Sequence, residues 1–225
     1  MTRSQFSSLV LLLAALAATA CGSGGGDGLT SLTGAGREKG GTAGSNAIGE
    51  SCQSDDPDKI CLALNYVVYA GESGVSRDKA IENVSKVNRA YSQCGIGFQI
   101  ESFSEVKPTE HGLYSGSAAA NQTQQIRQAF QNETQLLLVT TAAWGTQKSA
   151  WTQMPPTSIH GAVFEAPAGI NAAIIGHELG HYLGLDHVVD QSNIMNAVIY
   201  SDGIYSSQCQ TMRDSAARYW QKMYR

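Results

Sequence analysis

The chain has 225 residues, with 15 Lys and Arg against 19 Asp and Glu and a formal charge of −4. No basic stripe stands out, so nothing points to a nucleic-acid partner. The length suffices for one domain with a real core, even after a long N-terminal stretch is set aside.

That stretch begins with a positive residue, Arg3, and a short apolar run, Leu9 to Leu16. The run suits a signal h-region and is too short to span a bilayer as a mature helix. Ala18 and Ala20 then lead into Cys21. Ala18-x-Ala20 suits an ordinary signal peptidase. The same residues ending in cysteine resemble the lipobox of bacterial lipoproteins, although Ala18 stands where that pattern usually has leucine. Both readings export the chain, either tethered through a lipid on Cys21 as an envelope (outer-membrane) lipoprotein or freely secreted. Removal of Arg3 leaves 14 basic against 19 acidic residues.

Residues 22–50 contain 11 glycines and almost no large apolar side chain. Such a segment buries too little surface to offset its ordering entropy. As a coil its ends would lie roughly 30 Å apart, which fits a tether or a short pro-segment. The expected organisation is therefore 1–20 signal, 21–50 linker and 51–225 folded domain. Cys52, Cys61, Cys94 and Cys209 remain in that domain, an even number in an oxidising compartment. Three pairings are open; the short loop favours Cys52–Cys61, with Cys94–Cys209 by elimination.

Within the domain, "ICLALNYVVYAG" alternates Leu62, Leu64, Tyr66 and Val68 and reads as a strand. "RDKAIENVSKVNRAYSQ" places Ile81, Val84, Val87 and Tyr91 on one helical face, and Gly95 stops it. "IGFQIESF" reads as a strand, 118–131 as a helix, "QLLLVTT" as a buried strand and "HGAVFEA" as a short strand. A helix follows with Asn171 as its N-cap. Residues 208–224 read as a C-terminal helix with Met212, Ala216, Tyr219 or Trp220, and Met223 as its stripe, and "SQCQ" from Ser207 as a capping box. Interleaved strands and helices favour a largely parallel sheet with helical crossovers.

The chemistry concentrates in "IIGHELGHYLGLDHVVDQSNIMN", Ile174 to Asn196. His177 and His181 are four residues apart, so a helix stacks them on one face, where both can reach one ion. Glu178 stands beside them without being a ligand. Gly184 can take φ > 0, end the helix sharply and let His187 turn back toward the same ion. Three neutral histidines with one open position are what a catalytic zinc needs. From this chain's composition the pattern H-E-x-x-H-x-x-G-x-x-H arises by chance in about one chain in 100,000. A helix with three surface histidines is the plainer reading, and that rarity weighs against it.

His177-Glu178-x-x-His181-x-x-Gly184-x-x-His187 resembles the metzincin zinc signature. Met195, eight residues after His187, is similar to the family's methionine turn, and its spacing, with "HELGHYLGLDH", is similar to the matrixin branch. The resemblance implies a zincin-like α+β fold: a twisted, mostly parallel five-stranded sheet with one antiparallel edge strand, an active-site helix, a Met-turn and a C-terminal helix. It implies one catalytic Zn2+ on His177, His181 and His187, Glu178 as general base, Met195 as an apolar floor, and a protein or peptide substrate cleaved by an exported, monomeric endopeptidase. The chain also departs from matrixins. Val188 replaces a usual serine, and Pro-x-Tyr after the methionine is missing, which leaves Tyr200 or Tyr205 as candidates for the S1′ wall against plain loop tyrosines. A cysteine-switch motif is absent, and no calcium cluster is evident.

The substrate is expected to lie extended against an edge strand, taken as residues 158–166. His111 and His160 read as loop or strand-end residues, Asp186 as solvated or supporting, Asp190 as a turn stabiliser, and "SDDPD" as a solvated acidic loop rather than a calcium site. The alternative function is a zinc-binding envelope or adhesion module that keeps the fold without cleaving. The intact Glu178 argues against it.

Overall fold

The computed structural model describes residues 46–116, 120–146, 148–199 and 201–225. The expected signal segment, Cys21, most of the glycine-rich stretch, the first two residues of the expected 118–131 helix and Tyr200 lie outside the described residues.

Strand β1, Ile60–Tyr69, is buried at nine of its ten positions, because it has a neighbour on each side and a covered surface on both faces. Its alternation separates two cores rather than core from solvent. Leu62, Leu64, Tyr66 and Val68 join the larger cluster, while Val67 and Tyr69 join the smaller one. Helix α1, Arg77–Tyr91, starts at Ser76, whose hydroxyl accepts from Lys79 N–H, and buries Val84, Val87 and Tyr91. Ile81 is only partly covered and packs near Gly49. β2, Ile96–Val106, runs parallel to β1. Ile48 bridges to Ile100 on β2, so ordered packing begins before residue 51.

Helix α2, Ala120–Phe130, covers the second face, with Ile126 against Val67, Leu137 and Val139. β3, Leu136–Thr140, is fully buried. β4, Ala150–Thr152, and β5, Ala162–Phe164, complete a five-stranded sheet in the order β2-β1-β3-β5-β4. All pairs are parallel except β4–β5. The expected α+β architecture with one antiparallel edge is therefore observed, but the edge is not where the sequence suggested. Segment 158–166 supplies an inner strand: Ala162, Val163 and Phe164 are fully buried between β3 and β4. The edge at this end of the sheet is β4, whose residues are all half-exposed and pair, among the described residues, only with β5.

A short helix α3, Ala166–Gly169, leads into α4, Ala172–Tyr182, and α5, Ser206–Tyr219, packs into the larger core. The last turn is a separate 3-10 turn, Gln221–Met223, so the C-terminal helix is shorter than 208–224. Its cap also differs from "SQCQ". The chain enters at Tyr205, and Gln208 Oε1 accepts from Tyr205 N–H. Gln208 is recruited because Asn193 also bonds it, tying the helix start to the loop before Met195. Trp220 rather than Tyr219 completes the stripe, with its indole N–H on Tyr182 O. Both disulfides are formed, Cys52–Cys61 and Cys94–Cys209; the second pins α5 to the end of α1.

Candidate active site

Helix α4 starts where Asn171 Oδ1 accepts from Ala173 N–H. It ends where Gly184, at φ 82°, reverses the chain. A residue with a Cβ would be strained at that φ. Leu185 N–H then returns to Gly180 O, and the following residues bring His187 back over the helix. His177 and His181 face the same side, one turn apart.

The three Nε2 atoms form a near-equilateral triangle, 3.1 Å between His177 and each partner and 3.2 Å between His181 and His187. His177 Nδ1 lies 2.7 Å from Ile194 O, and His181 Nδ1 lies 2.7 Å from Leu185 O. A carbonyl only accepts, so these two Nδ1 atoms carry the proton and the Nε2 atoms of His177 and His181 present bare lone pairs. Lone pairs aimed at one another this closely repel unless a cation lies among them. Four-coordinate zinc with nitrogens at about 2.0–2.1 Å requires nitrogen separations of roughly 3.3–3.4 Å. At 3.1–3.2 Å the triangle lies within about 0.1–0.3 Å of that spacing, a shift that side-chain movement can supply. Burial, with the neighbouring His181 and His187, pushes His177 down to about 4, and burial lowers His181 as well. Both are therefore neutral at neutral pH, the form that could hold a metal ion.

Glu178 is buried beside this triangle and accepts a close hydrogen bond from Thr152 Oγ1 on β4. Burial raises its carboxyl to about 7, against the opposing pull of the Thr152 hydroxyl and the Arg127 charge. Arg127 is itself buried, and donates to Gly161 O at 2.8 Å and Trp151 O at 2.9 Å. Beneath the histidines, Met195 is fully buried. Val188 N–H bonds Met195 O and Asn196 Nδ2 bonds Val188 O, closing the loop that carries His187. α4 accepts this loop because it has glycines where side chains would collide. A Cβ at Gly180 would sit 2.4 Å from Met195 Sδ, and one at Gly176 would sit 2.7 Å from Ile194 Cδ1.

A cleft of about 580 Å³ opens between β4 and α4, lined by Trp151, Thr152, Glu178, the three histidines and the segment Ala197–Ile199. That segment follows Met195, where Pro-x-Tyr is missing, and lines the cleft. Tyr205 points elsewhere: its hydroxyl donates to Asp190, which also accepts from Ser192. Asp190 is thus the turn stabiliser expected. Asp186 is exposed and outside the triangle, and His111 and His160 pack edge-on against Phe130 and Trp220 respectively. Thr152, Trp151 and Arg127 had no signal of their own in the sequence. A three-residue strand is too short to show a period of two, and an arginine in a helix reads as solvated.

Sheet, helix and histidine triangle together have the arrangement that the resemblance to metzincins implied. Residues 128–224 match the Matrixin family model, somewhat under half of the chain. No curated protein matches the sequence. Among solved structures, the chain is similar to archaemetzincin from Methanopyrus kandleri, with 14% identity, a TM-score of 0.50, and coverage of 74% of this chain and 100% of that one. It is also similar to metalloproteinase-II from Bacteroides fragilis, with 12% identity and a TM-score of 0.47 over 74% of this chain and 56% of that one.

Proposed function

We propose that the protein is an exported zinc endopeptidase, with His177, His181 and His187 as ligands of one zinc ion and Glu178 as general base. One observation carries the reading: three histidine Nε2 atoms converge next to a buried carboxylate, in a cleft bordered by an edge strand. Zinc, when bound there, supplies a Lewis acid that acidifies a water and polarises the scissile carbonyl.

The chain's own residues do the rest. Ile194 O and Leu185 O hold two imidazoles in the tautomer that presents Nε2. Glu178 takes the proton of the attacking water and passes it to the leaving amine. A buried carboxyl near neutrality is suited to both halves of that transfer. An extended peptide pairs with β4, where Ser149 O already bonds inward to Glu165 N–H. Alternation then turns the N–H and C=O of Ala150 and Thr152 outward to the substrate. The two disulfides support export. A lipid on Cys21 is tested by palmitate labelling, which Cys21→Ala should abolish.

The deciding experiment is Glu178→Ala. The variant should retain one zinc per chain and lose proteolysis of an unfolded protein by about 100- to 10,000-fold. Retained cleavage overturns the assignment of Glu178. A wild-type protein that holds zinc yet cleaves nothing across a broad peptide library overturns the endopeptidase reading.

A further inference from the structure

We propose that Thr152 is a positioning residue: seated on the edge strand, its hydroxyl orients the Glu178 carboxylate and couples substrate pairing on β4 to the proton transfer. The inference rests on the endopeptidase reading above and adds a residue to it.

The geometry runs in three steps. Glu178 reaches the cleft from α4, and the torsion that turns its carboxylate is intrinsically broad. Burial alone would leave the two oxygens free to exchange places. The bond from Thr152 Oγ1 to Oε2 removes that freedom and leaves Oε1 for the reacting water. Thr152 is itself stiff, because a β-branched side chain has a restricted χ1 and follows its backbone. That backbone is fixed from the inner side by Arg127, whose guanidinium holds Trp151 O and Gly161 O. Its outer N–H and C=O are left for the substrate. A peptide that pairs at Thr152 therefore grips the residue whose hydroxyl aims the base.

The Thr152 hydroxyl bonds the Glu178 carboxylate and acts through it, so the chemistry places it behind Glu178. Loss of its hydroxyl should lower turnover while leaving peptide binding intact, because the outward backbone groups remain. A merely structural threonine would give a fall in stability or a rise in KM instead.

The test is steady-state cleavage of a fluorogenic peptide by the zinc-loaded full chain, comparing wild type with Thr152→Val, Thr152→Ala and Thr152→Ser. Zinc content and Tm are measured on each protein. Valine keeps the shape and removes the donor; alanine removes both, and serves should valine disturb folding. The expected result is a fall in kcat of about 10- to 100-fold for valine and alanine, with KM within about twofold and zinc content unchanged. Serine should restore kcat to within about threefold of wild type, since it returns the donor. Unchanged kcat in both donorless variants, a loss confined to KM, or failure of serine to rescue overturns the proposal and leaves the endopeptidase reading standing. An inactive wild type overturns both.

Discussion

Glu178 and His177 are adjacent in the chain, and burial moves their protonation in opposite directions, the carboxyl up to about 7 and the imidazole down to about 4. In protein stripped of metal these act oppositely on stability. A carboxyl raised in the folded state binds more protons there than when unfolded, so its contribution falls as pH rises from the ordinary carboxylate range to about 7. A lowered histidine binds fewer protons when folded, so its contribution grows as pH rises from about 4 toward the ordinary histidine value. Glu178→Gln removes the first and keeps the second. The chelator-treated variant should therefore gain more Tm than chelator-treated wild type between about pH 5 and 7. Equal gains would show that Glu178 is not raised. The residues in this contest were legible from spacing alone, because H-E-x-x-H and a glycine turn specify a geometry. Thr152 was not, because what matters in it is a partner 26 positions away.

Among the elements, β4 and α2 carry the new information. Three residues of edge strand pair with β5 and are held further by one side chain of α2, Arg127 on Trp151 O. Replacing Arg127 by methionine keeps the apolar stem and removes the donors to Gly161 O and Trp151 O. The unfolding free energy should fall by about 2–3 kcal/mol in urea titration, and KM for peptides should rise as β4 loosens. Wild-type stability in that variant would remove Arg127 from any role in setting the edge. The sequence placed every strand and α-helix of the described residues except β4 and α3, yet it made 158–166 the edge. "HGAVFEA" reads equally well as an inner or an outer strand. Which one it is depends on whether another segment pairs beyond it, and no local pattern carries that.

At the scale of the molecule, the two disulfides close loops of very different size, 9 and 115 residues apart in sequence. Loop-closure entropy gives about 2.6 kcal/mol for the first and about 4.8 kcal/mol for the second. Cys94→Ser/Cys209→Ser should thus lose about 2 kcal/mol more stability than Cys52→Ser/Cys61→Ser, measured by denaturant unfolding. Equal losses would mean the unfolded chain is already compact around α1 and α5. The favoured pairing was legible because one pair lay close in sequence. The reason for the other, α5 docking at the end of α1, belongs to the tertiary structure.

The glycines at 176 and 180 have a consequence for assembly. They lower the intrinsic helicity of α4 by about 1 kcal/mol each relative to alanine. An 11-residue segment so weakened does not hold a helix in isolation. It gains its stability when Ile194 and Met195 drop into the notches the glycines leave. The segment that carries His177 and His181 and the segment that carries Ile194 and Met195 therefore order together. The interval of the signature between the histidines is, in this respect, a joint whose two halves close at once.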